Sequence, residues 1–159
     1  MKILAIDPGT TESAFVVWDG AKAELFVKDD NKSLLARMRA GDFDDCDCVI
    51  EKVASYGMAV GEAVFETVFW SGRFAEAFAS RTKKSFARMT RLEVKIHHCY
   101  TARATDSNIR QALIDKLGAP GTKKAPGPTF GISGDMWQAL AVAIAYSEKR
   151  ETLATIESK

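Results

Sequence analysis

Histidine and cysteine are scarce in this sequence, two of the former and three of the latter in 159 residues. An odd number of cysteines, with Cys46 and Cys48 too close along an extended segment to bridge each other, argues against a disulfide framework. The same C-x-C spacing has no second knuckle to pair with, so Cys46, Cys48, His97, His98 and Cys99 match structural zinc spacing poorly. No run approaches the roughly 18 apolar residues that a spanning helix needs, and the N-terminus enters a strand-like pattern without a signal-peptide layout. The expectation is a cytoplasmic protein with no membrane partner. At 47% hydrophobic and 27% charged residues the composition is that of an ordinary globular protein. The length suits one compact domain over residues 1–159 and is too short for a two-lobed enzyme.

A net charge of only +1 conceals a division along the chain. Residues 1–80 hold 8 Lys/Arg against 14 Asp/Glu, residues 81–124 hold 11 against 3, and residues 125–159 hold 3 against 4. Such a division suits a protein that meets phosphate with its middle segment and gathers carboxylates elsewhere, although a solvated charged face has the same composition.

Residues 2–7 form a short aliphatic run that stops at Pro8-Gly9, which predicts a buried strand and a turn. Further strands are predicted over 13–18, 23–28, 46–51 and 92–97. A helix is predicted over 31–40, capped at Asn31 and closed by Gly41, and another over 105–117 with Ile109, Leu113 and Leu117 at four-residue spacing. Residues 118–131, with Pro120, Pro126, Pro128, four glycines and Lys123-Lys124, read as a long basic loop. The last helix is expected to start near Ser133 and to pack closely through its alanines. Hairpin strands followed by a helix that returns to another strand give an α/β fold with a mixed sheet and helices packed on it.

The longest helical pattern, 61–81, has two apolar stripes. Phe65, Val68, Ala75 and Ala79 lie on one side; Trp70, Phe74 and Phe78 recur on nearly the opposite side. One stripe can cover the sheet. The aromatic one then needs another partner, either the later helices or a second copy of the chain.

Three acids sit where open α/β sheets place their chemistry. Asp7 ends the first strand, Glu51 ends the strand over 46–51, and if those strands are parallel neighbours the two carboxylates lie side by side. Carboxylates that close repel unless a cation joins them. Asp135 at the start of the last helix has an ordinary role as a cap or dipole partner, but with Asp7 and Glu51 it offers a third oxygen ligand. An all-oxygen set suits Mg²⁺ or Mn²⁺, and phosphodiester chemistry at such sites proceeds by two-metal displacement.

The segments "ILAIDPGTTESAFVVWDG", "VIEKVASYGMAVG" and "GDMWQALAVAIAYSE" resemble, in order and spacing and over essentially the whole chain, the three acidic motifs of RuvC-type Holliday-junction resolvases, in particular their small phage-encoded branch. The resemblance implies an RNase H-like fold with a five-stranded mixed sheet and helices on both faces. It also implies a homodimer that nicks four-way DNA junctions in a Mg²⁺-dependent reaction, in a bacterial cell or a phage-infected host, with Asp7, Glu51 and Asp135 as the metal ligands. Two positions depart from the family pattern. Gln138 stands where a further acid is common, one turn on from Asp135, so that either its amide oxygen or another acid such as Asp106 completes the site. No aromatic stands at Ala54; Tyr56 is the nearest one able to stack on an opened base, or else packs against the following helix start.

Lys83, Lys84, Arg88, Arg91, Arg103, Arg110, Lys123 and Lys124 are candidates for contacts to the DNA arms. His97 or His98 could act as a general base if the strand expected over 92–97 ends near the acids. Two other readings compete. The opening Asp-Pro-Gly-Thr-Thr also resembles the first phosphate motif of actin-like kinases, but one lobe's worth of chain and no second phosphate loop oppose it. A junction-binding protein without catalysis is the other, because a fourth acid is missing.

Overall fold

The computed structural model describes residues 1–158. Strands β1 (Lys2–Asp7), β2 (Glu12–Trp18) and β3 (Ala23–Asp30) form an antiparallel meander. On the other side of β1, strands β4 (Cys46–Lys52) and β5 (Phe86–Thr90) add in parallel, giving a five-stranded sheet of order β3-β2-β1-β4-β5. Parallel neighbours require crossovers, and these are helices α1 (Asn31–Ala40) and α2 (Glu62–Thr82). Helices α3 (Arg91–Cys99), α4 (Asp106–Leu117) and α5 (Met136–Glu157) complete the chain. The mixed sheet with helices on both faces is the one expected.

The two-residue period of the strands sorts their side chains between two cores. Ile3, Ala5, Ala14, Val16 and Val49 lie under α5, with Val94 of α3 and Ile109 and Leu113 of α4 in the same cluster. Leu4, Ile6, Phe15, Cys48 and Ile50 face the other way, under α1 and α2. Helix α5 is buried at every position from Trp137 to Ala145. Its alanines allow close approach to the sheet while α3 and α4 cover its outer side, so it is apolar all round rather than amphipathic. None of the described helices is long and apolar enough to cross a membrane.

Five expectations are corrected. Residues 92–97 are helical: Thr90 and Glu93 form a reciprocal capping box that starts α3, and of the alternating Leu92, Val94 and Ile96 only Val94 is buried. The fifth strand is the preceding Phe86–Thr90. In α2 the aromatic stripe is the inner one. Trp70, Phe74 and Phe78 join the core with Leu34, Leu35 and Met38 of α1, whereas Phe65, Val68 and Phe69 remain 64%, 47% and 58% exposed. Asp30, not Asn31, caps α1, through its carboxylate on the amides of Lys32 and Ser33. The last helix begins at Met136 rather than Ser133, and the 118–131 loop contains a small hairpin, β6 (Gly121–Thr122) with β7 (Ala125–Pro126).

Candidate active site

Strand register puts Asp7 and Glu51 together. Ile6 pairs with Ile50 across the parallel β1–β4 ladder, so the next residues, Asp7 at the end of β1 and Glu51 one residue before the end of β4, stand side by side. Both share the face of Ile3, Ala5 and Val49, the face that α5 covers. The turn after Asp7 is held from beneath. The Ser13 hydroxyl accepts from the Gly9 amide at 3.1 Å and donates to Asn31 Oδ1 at 2.6 Å, while Asn31 Nδ2 donates to the Gly9 carbonyl at 3.0 Å. At Gly9 a Cβ atom would fall 2.2 Å from the Glu12 carbonyl oxygen, so the turn admits no side chain there. Asn31, read from sequence as a cap, thus fixes the strand end that carries Asp7.

The start of α5 faces this pair. Asp135 and Gln138 line a cleft of about 290 Å³ together with Asp106, Ser107 and Arg110 from the first turns of α4. Four acids therefore gather at one end of the sheet: Asp7, Glu51, Asp106 and Asp135. Two basic side chains stand among them. Lys28 donates to Asp135 Oδ2 at 2.7 Å, and Arg91, first residue of α3, reaches Glu51 at 3.4 Å and Asp106 at 2.6 Å.

Those two cations do not satisfy the inner pair. Burial, then the adjacent Glu51 carboxylate, pushes Asp7 up to about 8, against the opposing pull of Arg91 and Lys28. Burial also raises Glu51, with Arg91 working the other way. Glu51 Oε2 and Gln138 Oε1 are both buried without a hydrogen-bond partner. Buried polar atoms are normally paired, so two unpaired oxygens beside a proton-retaining carboxylate describe a site short of positive charge. Among the described residues no three His, Cys, Asp or Glu side chains converge closely enough to ligate one ion; Lys28 and Arg91 hold Asp135 and Asp106 to themselves.

The basic residues singled out from sequence separate into groups. Arg91 belongs to the acidic site. Arg110 stacks over the Trp137 ring at 5.2 Å on the cleft wall. Tyr56, 58% exposed and at φ 49°, accepts the Leu92 amide on its hydroxyl at 3.4 Å and lines a shallow pocket with Arg91 and Lys95. Arg103 is exposed between α3 and α4, and Lys123 and Lys124 are exposed between β6 and β7. Arg88 lies on the α2 side of the sheet, in a groove with Val68, Ala75 and Phe86. Lys83 caps α2 in a left-handed conformation, and Lys84 donates to the Asp44 and Cys46 carbonyls, both at 3.0 Å. Cys46 opens β4, so Lys84 sits about 17 Å along that strand from Glu51.

The histidines do not follow a strand end. They occupy the last turn of α3, where His97 pairs with Glu148 at 2.7 Å and His98 Nε2 donates to the Ala141 carbonyl at 2.8 Å. Glu148 is about 20 Å down α5 from Asp135. Cys46 and Cys48 are buried in the core beneath α1 and α2, and burial raises both thiols. Lys28 was not singled out from sequence. Its signal was positional: it pairs with Ala14, which in turn pairs with Asp7, so all three lie in one row across the sheet.

No protein-family model matches the sequence, and no curated protein sequence matches it. Solved structures do. The fold is similar to that of Thermus thermophilus RuvC, with a TM-score of 0.71 at 17% identity over 96% of this chain and 97% of that one. It is also similar to T. thermophilus RuvC in complex with a Holliday junction substrate, with a TM-score of 0.69 at 15% identity over 92% and 93% of the two chains. The chain has the RuvC-type, RNase H-like fold.

Proposed function

We propose that this chain is a structure-selective DNA endonuclease that hydrolyses phosphodiester bonds in four-way junctions and related branched DNA, as a Mg²⁺-dependent homodimer in which Mn²⁺ can substitute. The observation that carries this reading is the gathering of Asp7, Glu51 and Asp135 at the end of a RuvC-type sheet, short of positive charge. The likeness to a protein solved with a junction supports the substrate class.

In their chemistry, though not in their present spacing, the residues here fit a divalent cation. Asp7, Glu51 and Asp135 with the Gln138 amide oxygen supply only oxygen donors, two of the buried oxygens lack partners, and burial beside Glu51 raises the Asp7 carboxyl well above the usual carboxylate range. When bound, divalent ions at such a site stabilise the attacking and leaving oxygens of an in-line displacement. Asp7 and Glu51 are aimed by paired strands, Asp7 also by the Ser13–Asn31–Gly9 clamp, so these two need little ordering when substrate arrives. Tyr56 and Arg110 stand on the rim, able to stack on or pair with an incoming strand.

Cutting both strands of a symmetric junction needs two sites related by a two-fold axis. The exposed Phe65, Val68 and Phe69 of α2, beside the apolar groove against β5, give the surface such a dimer would bury.

The test is nuclease activity on junction, replication-fork, flap and linear duplex substrates with Mg²⁺ and with Mn²⁺. The proposal expects paired nicks in the junction and none in the duplex, lost in Asp7→Asn. Tight junction binding with no cleavage in either metal would establish the non-catalytic alternative instead.

A further inference from the structure

We propose, resting on the nuclease reading above, that Lys28 and Arg91 are exchangeable internal counter-ions: they occupy the acidic site while it lacks a divalent cation, and cation entry releases them to bind the DNA backbone. Four acids face two basic side chains here, and each basic group is held on the outer members of the set. Lys28 pairs with Asp135, and Arg91 is closer to Asp106 at 2.6 Å than to Glu51 at 3.4 Å. The inner oxygens, Glu51 Oε2 and Gln138 Oε1, are left without partners.

The placement permits exchange. Lys28 projects from edge strand β3 on the α5 side of the sheet and extends to the start of α5 past Ala14, its ladder partner. The side chains of Lys28 and Arg91 are 44% and 31% exposed. The pairs to Asp135 and Asp106, whose carboxylates are 55% and 65% exposed, are weak and readily traded for another anion. A cation that draws in Asp135 and Glu51 frees Lys28 and takes one of Arg91's two partners, leaving it Asp106 alone, so both basic groups stand beside the site with charge that a phosphate of the bound strand can share. Cation and DNA then favour each other's binding by the same factor, because such coupling is reciprocal.

Lys28→Met carries the test, since it lies on an exposed edge and leaves the half-buried Glu51–Arg91 contact intact. In the absence of DNA, Mn²⁺ binding followed by electron paramagnetic resonance should tighten about three- to tenfold in Lys28→Met, because the competing charge is gone. Junction affinity, read by fluorescence anisotropy in EDTA, should barely change, because there the lysine is engaged with Asp135. With Ca²⁺ as the added cation, wild type should gain several-fold in junction affinity, and Lys28→Met should lose most of that gain while Lys28→Arg keeps it. Arg91→Gln should lose part of the same gain.

Equal or weaker Mn²⁺ binding in Lys28→Met overturns the inference. So does an equal loss of junction affinity with and without Ca²⁺, which marks a plain phosphate contact. If wild type binds neither Mn²⁺ nor junctions in preference to duplex, the nuclease reading fails and this inference with it. Normal wild-type binding with no change in the variant removes the inference alone.

Discussion

Replacing Asp7 with asparagine should stabilise the metal-free protein, although it removes a residue at the centre of the site. Asn is nearly isosteric and cannot ionise. In the native chain, burial and the Glu51 carboxylate raise Asp7 from 3.8 to about 8. Between those values the folded protein holds a proton that the unfolded chain has released, so stability falls as pH rises across that window. Each pH unit in the window costs about 1.4 kcal/mol. By pH 7 the penalty is about 2–4 kcal/mol, since the neighbouring Glu51 shares part of the burden. For a chain of this size that corresponds to roughly 5–15 °C in Tm. Thermal unfolding in EDTA from pH 4.5 to 8.5 checks it. Wild type and Asp7→Asn should nearly coincide at the acid end and separate as pH rises, with the variant the more stable. Saturating Mg²⁺ should narrow the gap by stabilising wild type alone. A wild-type Tm that is flat or rising between pH 5.5 and 8, or an Asn variant no more stable at pH 8, refutes the charge-deficit account of the site.

Glu51→Gln and Asp135→Asn should each abolish junction cleavage in a gel assay while junction affinity changes by less than about threefold, because the lost charges repel DNA rather than bind it. Gln138→Asp should lower the Mg²⁺ concentration that supports cleavage and lower the Tm in EDTA, since the position is buried and its oxygen unpaired; an unchanged metal requirement means Gln138 does not face the ions. Phe65→Glu with Phe69→Glu should convert a dimer to a 17.4 kDa monomer by light scattering with little change in Tm, as both side chains are exposed. Asn31→Ala should cost about 1–3 kcal/mol in denaturant unfolding, because it strands the Ser13 hydroxyl and the Gly9 carbonyl together.

The sheet was legible where strands are buried on both faces. β1 and β2 are continuous apolar runs, and the turn after Asp7 announces itself through Pro8-Gly9. β5 was not, because its residues, Phe-Ala-Arg-Met-Thr, carry a single buried side chain, Met89, and no clean alternation. The next segment alternates well but is a helix, and its Thr90-x-x-Glu93 cap was the stronger signal. For α2, sequence gives two stripes but not which one turns inward; that depends on the α1 side chains waiting beneath it. The acids were readable because strand ends and helix starts are local features. Lys28 was not, because its role follows from a register across three strands, and Arg91 read as one more member of a basic run until its acidic partners stood beside it.

Helix α5 is unevenly anchored along its length, and amide hydrogen exchange should record that as a gradient. From Trp137 to Ala145 each residue is enclosed by sheet and helices, and Lys149 and Arg150 still pair with Glu93 and Asp47, whereas from Glu151 to Glu157 every residue is exposed. The outer turns can open and close on their own, so their amides should exchange quickly through local fraying. Those of the inner turns can exchange only when the whole fold opens. Asp135 and Gln138 are joined to the protected end. Disturbances at the C-terminal end, from truncation to an appended tag, are therefore damped before they reach the carboxylates, and the overhanging turns can be cut back without loosening the site.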